Sequence, residues 1–390
     1  MTAALLAAAI LLLLMAAHPF GTYPLSLAAL ARLRPRPILP GPPPATAALC
    51  VCAYNEERVI REKAENMIAM RHALPGLELL IYVDAATDRT ADILRDYAGA
   101  IQLVVSPVRT GKTHGMNTLV ARTAAECVVF SDANVTFAAN AMPALLAPFG
   151  DPSVGLTCGH LRYSRHDDNA TARTGSWYWQ LEERIKQLES ASGSVMGADG
   201  SIFAVRRTLY RPAPPDLIDD MFVSLMVLCE GHRLVRAGNA LAYEESVTRP
   251  KEEFRRKVRI ACQAFNVHRV LRPRLRRLPL LDRYKYVSHK LLRWLTVYLL
   301  AGSFACLVAA LALAQRPALL AGLLAIACIG AIWILRATHG PGATLRSILA
   351  AFLATGIGCW RSLRGDRFQT WSPPASTRST AEATPAGLAH

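Results

Sequence analysis

None of the nine cysteines stands in a CxxC pair, and their number is odd. This argues against a structural zinc centre and against a disulfide framework. Most of them lie in apolar runs, where cysteine acts as a small hydrophobe, and the pattern suits a reducing compartment. Acidic residues are scarce as well. Only 29 Asp and Glu face 44 Lys and Arg, for a net charge of +15. Charged residues make up 19% of the chain and hydrophobic ones 52%. That is too apolar for a soluble domain alone and points to membrane segments. No internal repeat is present.

Charge is missing from residues 2–31 apart from His18. The stretch exceeds the ~20 residues that cross a bilayer. A cleaved signal peptide is the rival reading, but no basic region precedes the apolar core and the stretch is too long. Arg32, Arg34 and Arg36 follow and are expected to remain cytoplasmic. Residues 294–314 and 317–335 are further uncharged runs joined by Gln315 and Arg316, which predicts a hairpin of two spans. The run 347–360 is only 14 residues, marginal for a span and closer to an interfacial or re-entrant helix.

Between these segments, residues 249–293 hold fifteen Lys or Arg against Glu252, Glu253 and Asp282. The belt leads straight into a span, so anionic membrane lipid, not nucleic acid, is its expected partner. The chain thus divides into an N-terminal span (1–31), a basic Pro-rich linker (32–46) and a cytoplasmic domain (47–248). Basic interfacial helices (249–293), a transmembrane hairpin (294–335), a third hydrophobic segment (336–371) and a disordered tail (372–390) complete it. The arginines after the hairpin lie on the same side as the belt, as the positive-inside rule asks. This gives a multi-pass protein of the inner, or cell, membrane with its domain in the cytoplasm.

Within the domain, short apolar runs alternate with helical patterns. Residues 47–53, 78–84, 100–105 and 126–132 read as strands; 56–71, 90–97 and 113–124 read as helices. Continuous apolar strands alternating with helices predict an α/β fold with a mostly parallel, Rossmann-like sheet covered on both faces.

Two carboxylates close such strands, Asp84 and Asp132. Ligands bind at that edge of open α/β sheets, although a helix cap or an Asx-turn accounts for either residue equally simply. Asp132 and Asn134 are spaced to offer two oxygens to a hard cation. Arg109-Thr110-Gly111-Lys112-Thr113 resembles part of a phosphate loop, but Ser106 stands where the full motif needs glycine. Gly197-Ala198-Asp199-Gly200 reads as a tight turn before a strand. Asp219-Asp220 opens an apolar helix, either as favourable charge at its N-terminus or as a general base raised by its neighbour. Trp177, Tyr178 and Trp179 suit sugar stacking or plain packing alike.

The order of these signals is more specific than any one of them. Ala53-Tyr54-Asn55-Glu56-Glu57, Asp84-(x3)-Asp88, Gly111-Lys112, Asp132-Ala133-Asn134, Gly197-x-Asp199-Gly200, Asp219-Asp220 and Arg255-Arg256-Lys257-Val258-Arg259 follow one another. The series resembles glycosyltransferase family 2, in its membrane-bound branch related to hyaluronan, chitin, cellulose and poly-N-acetylglucosamine synthases.

The resemblance implies an A-type glycosyltransferase fold and an inverting, metal-dependent hexosyl transfer. A nucleotide-sugar, usually a UDP-sugar, would give up its sugar to a hydroxyl of a lipid or saccharide acceptor. Cell-envelope or exopolysaccharide synthesis is the setting it suggests. By matching position, Ala53, Tyr54 and Glu56 line the nucleoside pocket, Asp84 contacts the base and Lys112 lies near the nucleotide. Asp132 binds the ribose or the metal, Mg2+ or Mn2+, and Asn134 takes the place of the second metal-binding carboxylate. Asp199, Gly200, Asp219 and Trp177 lie near sugar or acceptor, Asp220 is the catalytic base, and Arg256 and Arg259 clamp the diphosphate. Residues 256–260 lack the Gln and Trp of the processive branch, which sets few transfers beside polymer synthesis as readings. A nucleotide hydrolase and a non-enzymatic basic membrane adaptor are the rivals from other classes.

Overall fold

Strands that are apolar on every residue need cover on both faces, and the sheet has it. The computed structural model describes residues 1–163, 170–244 and 250–370. Strands β1 (Ala47–Ala53), β2 (Glu78–Asp84), β3 (Gln102–Ser106) and β4 (Cys127–Asp132) run parallel, in the order β3-β2-β1-β4. Helices α3 (Ile60–Ala73), α4 (Thr90–Arg95) and α5 (Lys112–Val120) make the crossovers. α1 (Thr2–Ala17) and α2 (Thr22–Leu33) precede them.

The sheet continues beyond β4 in mixed fashion. Its eight strands run β3-β2-β1-β4-β7-β6-β8-β5, with β5 (Val135–Phe137), β6 (Val154–Tyr163), β7 (Ile202–Arg206) and β8 (Arg233–Glu244). β7 is antiparallel to β4 and β6, and β5 to β8. β6 and β8 pair in parallel, so four of the seven pairings are parallel and the antiparallel ones all lie beyond β4.

Alternate residues of each strand feed two cores. Ala48, Cys50, Leu80 and Tyr82 pack on α5 and on α8 (Asp219–Cys229). Leu49, Val51, Leu79 and Ile81 pack under α3 and α6 (Ala141–Leu146). Gly115 lets α5 lie close: a methyl there would stand 2.5 Å from Tyr82 Cδ1 and 2.8 Å from Cys52 Sγ. That close approach sets the height of Lys112, one turn earlier.

The remaining helices are α7 (Ala170–Ala191), α9 (Pro250–Leu275), α10 (Leu280–Tyr286), α11 (Leu292–Leu313), α12 (Pro317–Arg336) and α13 (Gly340–Leu363). A π-helical turn, Val287–Leu291, links α10 to α11. By length and composition three helices suffice to cross a membrane, or four if the pair α1 and α2, bent by 58°, is one span. The bend holds Pro19, whose missing N–H breaks the ladder. α13 runs for 24 residues, longer than the uncharged run 347–360, and its glycine face packs on α9 and α11. Gly358 would clash with Val258 O if it carried a methyl, and Gly356 with Val297.

Candidate active site

The loop between β3 and α5 is the centre of the site. Asp84, at the end of β2, accepts hydrogen bonds from Thr110 N (2.7 Å), Thr110 Oγ1 (2.9 Å) and Gly111 N (2.9 Å). Arg109 Nε lies 3.3 Å from the same carboxylate, and its guanidinium stacks 3.1 Å over the Tyr54 ring. Asp84 is thus the anchor of the loop. Gly111 has φ +91°, a region open to glycine, and it turns the chain into α5.

Lys112, the first residue of α5, reaches the other carboxylates. Its Nζ lies 2.6 Å from Asp132 Oδ1 and 3.6 Å from Asp219 Oδ2. Burial works against the ammonium, but Asp132 and Asp219 outweigh it and hold its pKa above the usual lysine range. Asp220 sits beside it. A methyl on Gly200 would stand 2.9 Å from Asp220 Oδ2 and 3.6 Å from Lys112 Nζ. Burial, then the Asp219 charge, push the Asp220 carboxyl up to about 7, against the pull of Lys112. Ser224 fixes the turn to the helix: Ala198 N donates to Ser224 Oγ (2.9 Å), which donates to Asp220 O (2.6 Å).

Four residues, 109–112, therefore connect Asp84, Asp132 and the Asp219-Asp220 pair. Parallel pairing puts the ends of β2 and β4 at one sheet edge, on either side of β1. Asp199 Oδ2 lies 3.9 Å from Lys186 Nζ of α7.

Several expected residues have partners of their own. Glu56 N donates to Thr90 Oγ1 and Glu57 N to Asp88 Oδ2, zipping the loop after β1 to the one after β2. Ala53 is buried at the end of β1. Arg256 pairs with Glu253 at 2.7 Å. For Arg259, burial and Arg256 depress the pKa to about 10, with Asp132 drawing it back. Trp177 falls in α7, but its side chain is outside the described residues.

Two buried residues were not singled out from the sequence. Lys63 of α3 donates to Ser131 Oγ (2.8 Å) and Val135 O (2.7 Å), holding the turn that presents Asp132. Glu244 ends β8 and accepts from Asn134 Nδ2 at 3.0 Å. Burial, then Asp132, raise its carboxyl to about 7. It is the last residue of its strand, as Asp84 and Asp132 are of theirs, a signal available only once β8 is recognised.

Whether these residues suit a divalent ion turns on their donors. Asp132, Asn134 and Glu244 offer oxygen only, and oxygen is what Mg2+ and Mn2+ take. Because the Asn134 amide nitrogen is turned to Glu244, its oxygen is left for another partner. Among the described residues no three His, Cys, Asp or Glu are placed to hold a metal alone. The set suits an ion completed by phosphate and water oxygens.

Known proteins are similar to this chain in sequence and in fold. Residues 48–212 match the model of glycosyl transferase family 2. An N-acetylglucosaminyltransferase of Rhizobium leguminosarum bv. viciae is 22% identical over 218 residues, 52% of this chain and 51% of that one. Another, of Neorhizobium galegae, is 22% identical over 249 residues, 60% and 57% of the respective chains. The chain spans little more than half the length of these relatives. A mannosyltransferase from Pyrobaculum calidifontis, solved in complex with GDP-Man and Mn2+, superposes with a TM-score of 0.72 at 22% identity. That match covers 93% of this chain and 99% of that one. Over residues 48–212 the chain is similar to glycosyl transferase family 2, and its fold is that of an A-type glycosyltransferase.

Proposed function

We propose that the chain moves a sugar from a nucleoside diphosphate sugar to a hydroxyl of a lipid or saccharide acceptor, inverting the anomeric centre. It works at the cytoplasmic face of the cell membrane, in the building of envelope or exported polysaccharide. The observation that carries this is the 109–112 loop, which draws three separate carboxylate positions to one sheet edge. A hydrolase with a phosphate loop lacks this arrangement, and a basic adaptor has no use for it.

Each residue has a part in the proposal. Tyr54, with Ala53 and Glu56, lines the nucleoside pocket, and the Arg109 guanidinium on its ring marks a surface where a base stacks. Asp84 shapes that pocket from below by holding the loop. Asp132, Asn134 and Glu244 are the oxygen donors for Mg2+ or Mn2+, and Arg259 is near enough to Asp132 to feel its charge. A divalent ion bound there supplies charge neutralisation to the departing diphosphate. Asp220 takes the proton of the attacking hydroxyl, and Asp199 and Gly200 shape the sugar site. The mannosyltransferase of the same fold is described with GDP-Man and Mn2+, which supports a nucleotide-sugar and a divalent ion here. With no Trp in residues 256–260, one to a few transfers is the reading we favour over a processive synthase.

The test is a panel of nucleotide-sugars, UDP-sugars first, with purified full chain and Mg2+ or Mn2+, reading diphosphate release. Release from at least one donor is expected; none from any donor would sink the proposal. Gly200→Ala adds a sharper result. Its methyl would press on Asp220 Oδ2, so turnover should fall by about 100-fold while donor binding changes little. An unaltered rate would show that the carboxylate does not need that place.

A further inference from the structure

A cationic pair lies where the domain meets the membrane, and the chemistry above does not use it. Lys290 is the fourth residue of the π-helical turn, and Arg293 follows three positions later. Residues so spaced share a helix face. Lys290 makes no hydrogen bond or ion pair among the described residues. Its side chain lies along the open face of Gly197: a methyl there would stand 3.6 Å from Lys290 Cε and 3.7 Å from its Nζ.

The Arg293 side chain is 10% exposed. Its Nη1 donates to Glu182 and to the Tyr178 hydroxyl. Its Nε and Nη2 are buried without a partner. Buried donors left unmade are costly, and a guanidinium edge with two free N–H groups matches two oxygens of a phosphate.

Position adds the rest. The Gly197–Gly200 turn has Lys290 at one end and Asp220 at the other. Three Cα steps of about 3.8 Å put those ends at most about 11 Å apart. Lys290 and Arg293 also lead directly into α11, so a ligand reaching them comes from the lipid side.

We propose that Lys290 and Arg293 hold the phosphate of a lipid-borne acceptor, whose head-group hydroxyl then reaches Asp220 along the Gly197–Gly200 turn. This rests on the transferase reading and adds a class of acceptor to it: an anionic lipid whose phosphodiester sits one sugar or polyol unit from the accepting hydroxyl.

The test is lipid retention by the full chain, read by native mass spectrometry after incubation with defined vesicles. The probes are phosphatidylglycerol, phosphatidylcholine and soluble glycerol phosphate. Wild type should retain phosphatidylglycerol in preference to phosphatidylcholine, and Lys290→Gln should weaken that retention about tenfold. Arg293→Lys keeps the charge beside Glu182 but loses the fork, and should weaken it too. Arg276→Gln, at an exposed position of the basic belt, removes the same charge and should behave as wild type. Equal retention of the two lipids, or an equal loss in Arg276→Gln, would overturn the site. Glycerol phosphate binding as tightly as the lipid would overturn its lipid origin. Donor binding is measured in parallel. If wild type binds no nucleotide-sugar, the transferase reading fails, whatever lipid is retained.

Discussion

Replacing Asp220 by Asn should cut turnover by about 10²–10⁴ while leaving donor binding intact. The amide keeps the shape of the side chain and loses only its capacity to take a proton. The wild-type rate should climb with pH through about 7 and flatten above it, because the carboxyl, faced by Asp219, Asp199 and Lys112, is protonated below that value. The stability of the variant should move in the opposite sense. A carboxyl raised in the folded state favours folding while it is protonated, and that contribution is lost as pH rises through the folded value. Above about pH 7 the Asn chain, relieved of repulsion from Asp219, should melt at or above the wild-type temperature. A less active but more stable protein is the mark of a residue kept for function. Thermal melts and a pH–rate profile read both. An Asp220→Asn chain that is both active and less stable would remove the residue from the chemistry.

Lys112→Met should be the most damaging single change. It leaves Asp132 and Asp219 without their shared cation. Stranding buried carboxylates costs on the order of 3 kcal/mol, discounted here because Asp132 is 34% exposed. Asp220 would then bind its proton more readily, so the deficit against wild type should shrink as pH falls from 8 toward 5.5. Any remaining activity should shift to higher pH, since Asp220 loses the charge that lowers its carboxyl. Melting the two chains across that range is the measurement. Equal stability at pH 8 would mean that the carboxylates do not depend on this ammonium.

The first half of the sheet was legible because its strands are unbroken apolar runs with polar residues, where there are any, only at their ends; β2 begins and ends where the sequence predicts. The second half was not. β6 and β8 mix Arg, His, Asn and Gly into their runs and pair with shifts of register between Cys158 and His160. No period of two survives that. Helix α3 starts at Ile60 instead of residue 56, because side chains from the next loop take the N–H groups of Glu56 and Glu57. Those competing donors and acceptors lie more than 30 residues away and leave no local trace. α13 outgrows its apolar run because the helix continues through Arg346 and Arg361, which bound that run. In the site, residue type and strand ends pointed to Asp84 and Asp132. That Lys112 would bind carboxylates, and that Asp84 would hold a loop, depended on spacing between strands that only the register supplies.

The stretch after α13 also reaches this edge. Gln369 Nε2 donates to Thr110 O across 259 positions of sequence, and its own carbonyl leaves room for no side chain on Gly111. Asn266 holds Asp366 O, and Arg367 pairs with Asp216 along the way. During synthesis, then, the 109–112 loop waits for a residue made 259 positions after Thr110. Helices α11 to α13, long and apolar enough to cross a membrane, are made between the two ends of that contact. Completion of this edge is in this way tied to the synthesis of α11 to α13, and a ribosome stalled before α13 would carry a sheet whose 109–112 edge is still unfinished.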